Sequence, residues 1–330
     1  MITKSDYCFP FSVHSLEILS IQLRVPLETI MKYSQLLDGP EGRKIVHSFD
    51  KKIGNKNRTL VNSQEPFKVL NQKINELLQI ISLPSEIKGG VLGESTISNA
   101  SMHVGKNFLT KVDVKNYFPS IDSRMIKDLF LRLGCSGEVA KILTRLTTFE
   151  GALPQGFPTS ASIANLYFAV HCYDSIKKIA EAKGYTFSLW IDDLAFSSTN
   201  PISFFDLQSV KKTIRCAGLE INTKKTKRFG VRDYKEVTGI KVNSRQRPKT
   251  EKIHEIENDL FKLRTISLDE VAKNKYPEKY QELIRKNRAP DKWMVEHVRG
   301  LLNYIKRIDE KDFTRIVSKH TEVLRQHQIF

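Results

Sequence analysis

Two adjacent aspartates, Asp192 and Asp193, lie between apolar, β-forming stretches that predict a β-hairpin with both acids at its tip. Neighbouring carboxylates at a turn repel one another unless solvent or a cation offsets their charge. The pair is therefore either part of a metal site for phosphoryl transfer or a solvated Asp-Asp turn. The hairpin alone leaves both interpretations open.

A third carboxylate, Asp113, stands between two valines in a predicted short strand over residues 109–114. Phosphoryl transfer by two divalent ions needs carboxylates from different strands, because ions roughly 3.5 to 4 Å apart must be bridged. If this strand lies beside the hairpin, Asp113, Asp192 and Asp193 gather at one edge of a sheet. Such a set suits two Mg²⁺ ions, which prefer oxygen ligands. No cysteine or histidine pattern indicates a zinc site.

The composition indicates a polyanionic partner. Among 330 residues, 53 Lys and Arg outnumber 37 Asp and Glu, which gives a net charge of +16 and a pI near 9.6. Nucleic acid is the first candidate for such a partner. Because no apolar run reaches about 18 residues and no secretory signal pattern begins the chain, we expect a soluble cytoplasmic protein with no membrane partner.

The elements that must position the acids can be read from periodicity. Apolar spacing predicts helices on both sides of the hairpin, one of them capped at Ser160 and ending near Gly184. A basic hairpin with a Gly54-Asn55 turn precedes them. Three or four further helices follow a composition change near residue 245. The predicted division is an N-terminal helical extension over 1–45, a central part over 46–245 and a helical part over 246–330.

Several segments together resemble a known family. Lys111 to Ile121, Leu153 to Ser160 and the Asp-Asp hairpin resemble, in order and spacing, the successive palm motifs of reverse transcriptases. Asn99 to His103 is similar to the NAxxH motif of the bacterial retron branch, and Val237 to Gly239 to its VTG motif. The chain thus resembles retron reverse transcriptases over roughly residues 50 to 245.

The resemblance implies an α+β right-hand polymerase. Fingers and palm, with an antiparallel palm sheet packed on helices, would occupy residues 46–245, and an α-helical thumb residues 246–330. The implied reaction is RNA-templated addition of deoxynucleotides with release of pyrophosphate. For a retron it further implies a cognate structured non-coding RNA as template and primer, initiation at an internal 2′-hydroxyl, a branched RNA–DNA product (msDNA), and antiphage defence with a separate effector protein.

The resemblance also assigns residue roles. It makes Asp113 and Asp192 the principal metal ligands, with Asp193 supporting them, and Lys225 the proton donor to pyrophosphate. The implied nucleotide-binding residues are Phe118, as a gate against the 2′-hydroxyl, Gln155, Gly156, and Arg58 with Lys51 or, as the preferred choice, Lys52. The implied primer or RNA contacts are Trp190, Asn99, His103, Val237, Thr238 and Gly239.

From the residues alone, other roles stay open. Phe118 could be a core side chain, Lys225 a solvated cation, and Asn99 and His103 parts of a structural hydrogen-bond network. Family members usually carry Tyr-Ala before the two aspartates, whereas this chain has Trp190 and Ile191, so fidelity and processivity do not carry over. The rival functions are a group II intron-like or template-independent polymerase, and a non-catalytic RNA-binding protein with a relic palm.

Overall fold

A computed structural model describes residues 13–39, 41–53 and 56–330. By their internal contacts the residues group into two compact units: the first contains the chain up to residue 95 and residues 107–232, and the second contains residues 96–106 and 233–330. The predicted domain boundaries near residues 45 and 245 stay predictions.

The first unit begins with helices, as the apolar spacing predicts. Its N-terminal elements are α1 (Leu16–Leu23), α2 (Leu27–Asp38), α3 (Gly42–Ile45), the antiparallel hairpin β1 (Val46–Ile53) and β2 (Lys56–Ser63), and α4 (Phe67–Gln79). Ser15 caps α1, because its hydroxyl accepts a hydrogen bond from the Ile18 N–H at 3.3 Å. The predicted Gly54-Asn55 turn lies outside the described residues.

A four-stranded antiparallel sheet forms the centre of the first unit. Its strands are β3 (Phe108–Asp113), β4 (Thr186–Trp190), β5 (Asp193–Ser198) and β6 (Lys227–Phe229), in the order β4-β5-β3-β6. The central strand β3 buries Leu109 and Val112 completely or nearly so, which fits its place between two neighbours. The strand predicted over residues 109–114 and the Asp-Asp hairpin are therefore both present.

Helices pack against this sheet and enclose one apolar core. They are α6 (Tyr117–Ser120), α7 (Ser123–Arg132), α8 (Gly137–Thr147), α9 (Ser160–Phe168), a π-helical turn (Ala169–Tyr173), α10 (Asp174–Lys183), α11 (Phe204–Cys216) and a 3-10 turn (Thr223–Lys225). Ser160, predicted as a helix cap, is instead the first residue of α9, and its hydroxyl donates to the Pro154 carbonyl at 2.5 Å. Gly184 ends α10 in the left-handed conformation, as predicted.

The second unit combines a short helix, a small sheet and a helical array. Its elements are α5 (Thr96–Ser101), β7 (Glu236–Val237), β8 (Ile240–Lys241), β9 (Arg247–Pro248), α12 (Thr250–Lys262), α13 (Leu268–Lys275), α14 (Pro277–Arg285), α15 (Pro290–Ile308), α16 (Glu310–Lys319) and α17 (Thr321–Gln326). Within the described residues, no helix is long and apolar enough to cross a membrane.

Six helices follow residue 249, whereas the apolar spacing predicts three or four. The two helices without a predicted counterpart, α13 and α14, are short and bury few side chains, so few apolar residues mark them in the sequence. Their starts are marked instead by a capping box between Ser267 and Glu270 and by Pro277 at the first helical position. The local signals at the helix starts therefore mark this region in the sequence.

Candidate active site

The sheet register brings the predicted acids together at one edge. Asp113, the last residue of β3, pairs directly with Asp193, the first residue of β5, and paired residues project to the same face of a sheet. Asp192 directly precedes Asp193 and lies in the two-residue turn after β4. Its carbonyl accepts a hydrogen bond from the Val114 N–H at 2.9 Å. The three carboxylates thus come from β3, from β5 and from the turn that joins β4 to β5.

The turn that carries Asp192 is strained and supported from behind. Ile191 has a φ of 58°, a left-handed conformation that β-branched residues rarely adopt. A neighbouring loop approaches so closely that a Cβ on Gly89 would lie 2.4 Å from the Ile191 nitrogen, so this position requires glycine. Asn165, which is fully buried, fixes the loop by donating from Nδ2 to the Gly89 carbonyl at 2.7 Å. The loop and the turn therefore hold each other in place.

A cleft of about 550 Å³ in the first unit opens in front of these acids. Seven of the predicted site residues line it: Arg58, Asp113, Phe118, Gln155, Trp190, Asp192 and Lys225. Asp193, Gly156 and Lys52 are not among its lining residues. Residues that the sequence analysis did not single out also line it, among them Asn57, Thr59, Lys115 and Asn222. The cleft thus gathers most of the predicted catalytic and nucleotide-binding residues.

The charges in this cleft are tightly coupled. The ammonium group of Lys225 forms an ion pair with the Asp113 carboxylate. Burial and the carboxylates of Asp193 and Asp113 raise the pKa of Asp192, and Lys225 partly opposes this rise. Burial and the neighbouring negative charges therefore disfavour the ionised form of Asp192.

Reverse transcriptase-like chemistry would place cations here. Within the described residues, no group of three or more His, Cys, Asp or Glu side chains is arranged to hold a metal ion. The donors nevertheless fit Mg²⁺ chemically, since carboxylate oxygens are its preferred ligands and a cation would relieve the repulsion at Asp192. Two Mg²⁺ ions on Asp113 and Asp192, with Asp193 supporting them, stay a prediction.

The Gln155-Gly156 loop is joined to the β1–β2 hairpin through backbone contact. The Val61 N–H donates to the Gln155 carbonyl at 2.9 Å. Gly156 has a φ of 143°, and a Cβ there would lie 2.0 Å from the Val61 carbonyl oxygen. Glycine is therefore required for this approach, and the loop carries Gln155 to the cleft. A nucleotide contact by Gln155 or Gly156 stays a prediction.

The register of the hairpin separates the two candidate lysines. Lys51 pairs with Arg58, whereas Lys52 pairs with Asn57. Because paired residues share a face and neighbours alternate, Lys51 projects on the same side as Arg58. This arrangement makes Lys51, and not the predicted Lys52, the neighbour of Arg58 on its face of the hairpin; neither lysine lines the cleft.

The NAxxH and VTG segments meet within the second unit. Asn99 and His103 are each 1% exposed. Asn99 Nδ2 donates to the Thr238 hydroxyl at 3.4 Å, and that hydroxyl donates to the Thr96 carbonyl at 2.9 Å. Thr238 and Gly239 form the β7–β8 turn with φ values of 46° and 82°, as a type I′ turn requires.

These contacts give the two motifs a structural role. Val237, next to the turn, is also buried, at 1% exposure, so it packs in the interior of the second unit. Buried polar side chains are usually paired: Asn99 Nδ2 pairs with Thr238, whereas the buried Asn99 Oδ1 has no hydrogen-bond partner among the described residues. Direct contact of Asn99, His103 or the VTG segment with RNA stays a prediction.

Comparison with known proteins identifies the family. Residues 50–253, which include the cleft and its acids, match the family described as "Reverse transcriptase (RNA-dependent DNA polymerase)". The chain belongs to the reverse transcriptase family. It is an RNA-directed DNA polymerase, as the sequence predicts. Membership implies a palm-and-fingers polymerase fold, with which the mixed helices and antiparallel sheets agree; the helical thumb stays a prediction.

Relatives of this reverse transcriptase carry retron names. It is 27% identical to the Retron Ec86 reverse transcriptase of Escherichia coli over 93% of this chain and 88% of that protein. It is 32% identical to the Retron Se72 reverse transcriptase of Salmonella heidelberg (strain 579083-10) over 48% and 41% of the two chains. For the Retron Mx162 reverse transcriptase of Myxococcus xanthus the identity is 28%, over 59% and 46%. The predicted resemblance to retron reverse transcriptases is confirmed.

Some cleft residues of this reverse transcriptase were within reach of sequence reasoning. Thr59 and Asn57 flank Arg58, and Lys115 follows Asp113 by two positions, so their proximity was a signal. Asn222 gave none, because its N–H reaches the Asp113 carbonyl, at 2.8 Å, only through the tertiary fold. Gly89 was likewise unpredictable as a support of the Ile191-Asp192 turn.

The hairpin register leads to a testable difference between two adjacent lysines. We expect Lys51→Ala to raise the KM for deoxynucleotides about tenfold, since a charge-assisted contact to the triphosphate would be lost beside Arg58. The matched Lys52→Ala variant should change KM less than about twofold, as its side chain projects on the other face. Steady-state kinetics on one RNA template compares the two, and a larger effect at Lys52 would contradict the assignment.

The buried His103 predicts a pH dependence of stability. Burial, with a smaller effect of Lys106, lowers the pKa of His103 from 6.5 to about 4, so the unfolded chain binds this proton more readily. The contribution of neutral His103 to the free energy of unfolding is therefore fully present above the pKa of the unfolded chain, about 6.5. It is lost as the pH falls from about 6.5 towards 4, by up to about 3 kcal/mol. Urea unfolding at about pH 7 and about pH 4.5 should show a smaller loss for His103→Gln than for the unmodified protein. Equal losses would contradict this role.

Proposed function

We propose that this reverse transcriptase is a retron enzyme that copies a cognate structured non-coding RNA, starting from an internal 2′-hydroxyl of that RNA, to give a branched RNA–DNA product (msDNA). The observation that carries the proposal is the alignment with the Retron Ec86 reverse transcriptase, which spans 93% of this chain and 88% of that relative. Both retron motifs lie within residues 50–253, the part of the chain that matches the reverse transcriptase family. The two motifs contact one another through Asn99 and Thr238.

In the proposed reaction, the cleft holds the incoming deoxynucleotide. Asp113 and Asp192 would hold two Mg²⁺ ions, which when bound would favour ionisation of the attacking hydroxyl and stabilise the pyrophosphate. Arg58 would contact the triphosphate through its planar fork of donors. Lys225, which lines the same cleft, would donate a proton to the departing pyrophosphate.

The proposed partners follow from charge and from the relatives. The positive charge that a polyanion would contact is concentrated before residue 251, since residues 251–330 carry 17 Lys and Arg against 14 Asp and Glu. The predicted helical thumb would therefore recognise RNA shape, or a separate effector protein, more than it would neutralise phosphates. A role in antiphage defence with that effector belongs to the same proposal.

The test uses the purified protein with the structured RNA encoded beside its gene. DNA synthesis on this RNA without an added primer, and a product that a 2′,5′-debranching enzyme separates into RNA and DNA, would support retron priming. An unrelated primer and template serve as the control. Equal extension of that control indicates a group II intron-like enzyme, untemplated products indicate a template-independent one, and either result would overturn the retron proposal.

A further inference from the structure

A second cavity, of about 610 Å³, adjoins the cleft in the first unit. Its lining residues are Lys115, Asn116, Lys211, Arg215, Leu219, Glu220, Ile221, Asn222, Thr223 and Lys224. Three of them, Lys115, Asn116 and Asn222, also line the cleft. The two spaces are therefore neighbours that share a wall.

The shared wall is anchored to the catalytic strand. The Asn222 N–H donates to the Asp113 carbonyl at 2.8 Å, and the Lys115 N–H donates to the Glu220 carbonyl at 2.7 Å. Beyond this wall, consecutive lysines line different spaces, because Lys225 lines the cleft while Lys224 lines the cavity. The 3-10 turn thus connects the two spaces with a pair of cations.

The cavity is strongly basic. It contains four cations and one acid, Glu220, which pairs with Lys115 at 3.2 Å. Among the residues that the structure describes, Lys211, Arg215 and Lys224 have no carboxylate partner. Unpaired cations around a concave space attract phosphate groups, which Arg and Lys bind through charge-assisted hydrogen bonds.

We propose that this basic cavity binds the pyrophosphate that leaves the cleft after each nucleotide addition. The inference rests on the proposed function, in which the primer oxygen forms a bond to the α-phosphorus while the bond from that phosphorus to the α,β-bridging oxygen breaks. The released diphosphate then moves past Lys225 to Lys224, Lys211 and Arg215. A small, compact anion fits this concave basic space next to the cleft better than an RNA backbone, which needs an extended basic groove.

The test measures inhibition of DNA synthesis by added inorganic pyrophosphate. Arg215→Glu and Lys211→Glu should each raise the half-inhibitory pyrophosphate concentration about tenfold, since each replaces a phosphate-binding cation by an anion. The matched control is Lys212→Glu, the same change on the same helix at an exposed residue outside the cavity. It should shift the concentration less than about twofold. An equal shift in the control, or no shift in the cavity variants, would overturn the proposal.

A further variant and a binding measurement test the cavity if the α11 variants do not fold or the protein makes no DNA. If the α11 variants do not fold, as judged by circular dichroism, Lys224→Glu changes an exposed lining residue outside α11 and should give the same shift. If the unmodified protein makes no DNA, the proposed function fails, and titration calorimetry with inorganic pyrophosphate still tests the cavity. Binding that Arg215→Glu weakens about tenfold would support the site, and unchanged binding would overturn it.

Discussion

The Asp192→Asn variant is expected to lower the rate of DNA synthesis by this reverse transcriptase at least about a thousandfold. Asp192 and Asp113 line the same cleft, and the substitution keeps the size of the side chain while it removes the charge that would hold a divalent ion. Because burial and neighbouring acids raise the pKa of Asp192, its charge destabilises the fold. We therefore expect the melting temperature to stay unchanged or to rise.

Single-turnover extension of a primer on an RNA template, together with a thermal melt, measures both quantities. Asp291→Asn is the matched control, since Asp291 is an exposed residue on α15 and does not line the cleft, and it should retain full activity. An active Asp192→Asn variant would exclude Asp192 as a metal ligand. A loss of activity accompanied by a lower melting temperature would show only that the fold requires the aspartate.

The second large effect is expected at Phe118. This residue lines the cleft, and the adjacent Tyr117 is fixed in the core by a hydrogen bond from its hydroxyl to the Ala164 carbonyl at 2.7 Å. The two rings lie 6.0 Å apart, so Phe118 has firm support on one side. We expect Phe118→Val to reduce the preference for deoxynucleotides over ribonucleotides about a hundredfold, because space for a 2′-hydroxyl opens.

The ratio of kcat/KM for a deoxynucleotide and its ribonucleotide measures this preference. Phe205→Val provides the control, as Phe205 is 81% exposed at the start of α11 and lies outside the cleft. Its ratio should match that of the unmodified enzyme. If Phe118→Val lost activity towards both nucleotides equally, Phe118 would be a packing residue and not a gate.

Much of the sheet edge that carries the acids was predictable because it depends on short-range pattern. Apolar, β-forming residues predict β3 and the β4–β5 hairpin, and an antiparallel pairing of β3 with β5 then brings Asp113 opposite Asp193. Trp190 ends β4, whereas Ile191 lies in the turn itself together with Asp192, and Asp193 already begins β5. The left-handed backbone of Ile191 was not predictable, since nothing in the local sequence favours it.

The remaining features depend on contacts between distant segments. The choice between Lys51 and Lys52 requires the strand register, which two lysines in succession do not reveal. The contacts of Gly89 with Ile191 and of Gly156 with Val61 depend on how closely backbones approach in space. Sequence alone shows a glycine in a loop and cannot show what it faces.

The central claim is that the acids around Asp113 catalyse RNA-templated DNA synthesis. The most direct measurement supplies the purified protein with an RNA of defined sequence, deoxynucleotides and Mg²⁺, and sequences the DNA that forms. We predict DNA complementary to the RNA from the unmodified protein, and none from Asp113→Asn or after chelation of the metal ion. Complementary DNA in undiminished amount from Asp113→Asn, or DNA unrelated to the RNA, would contradict the claim.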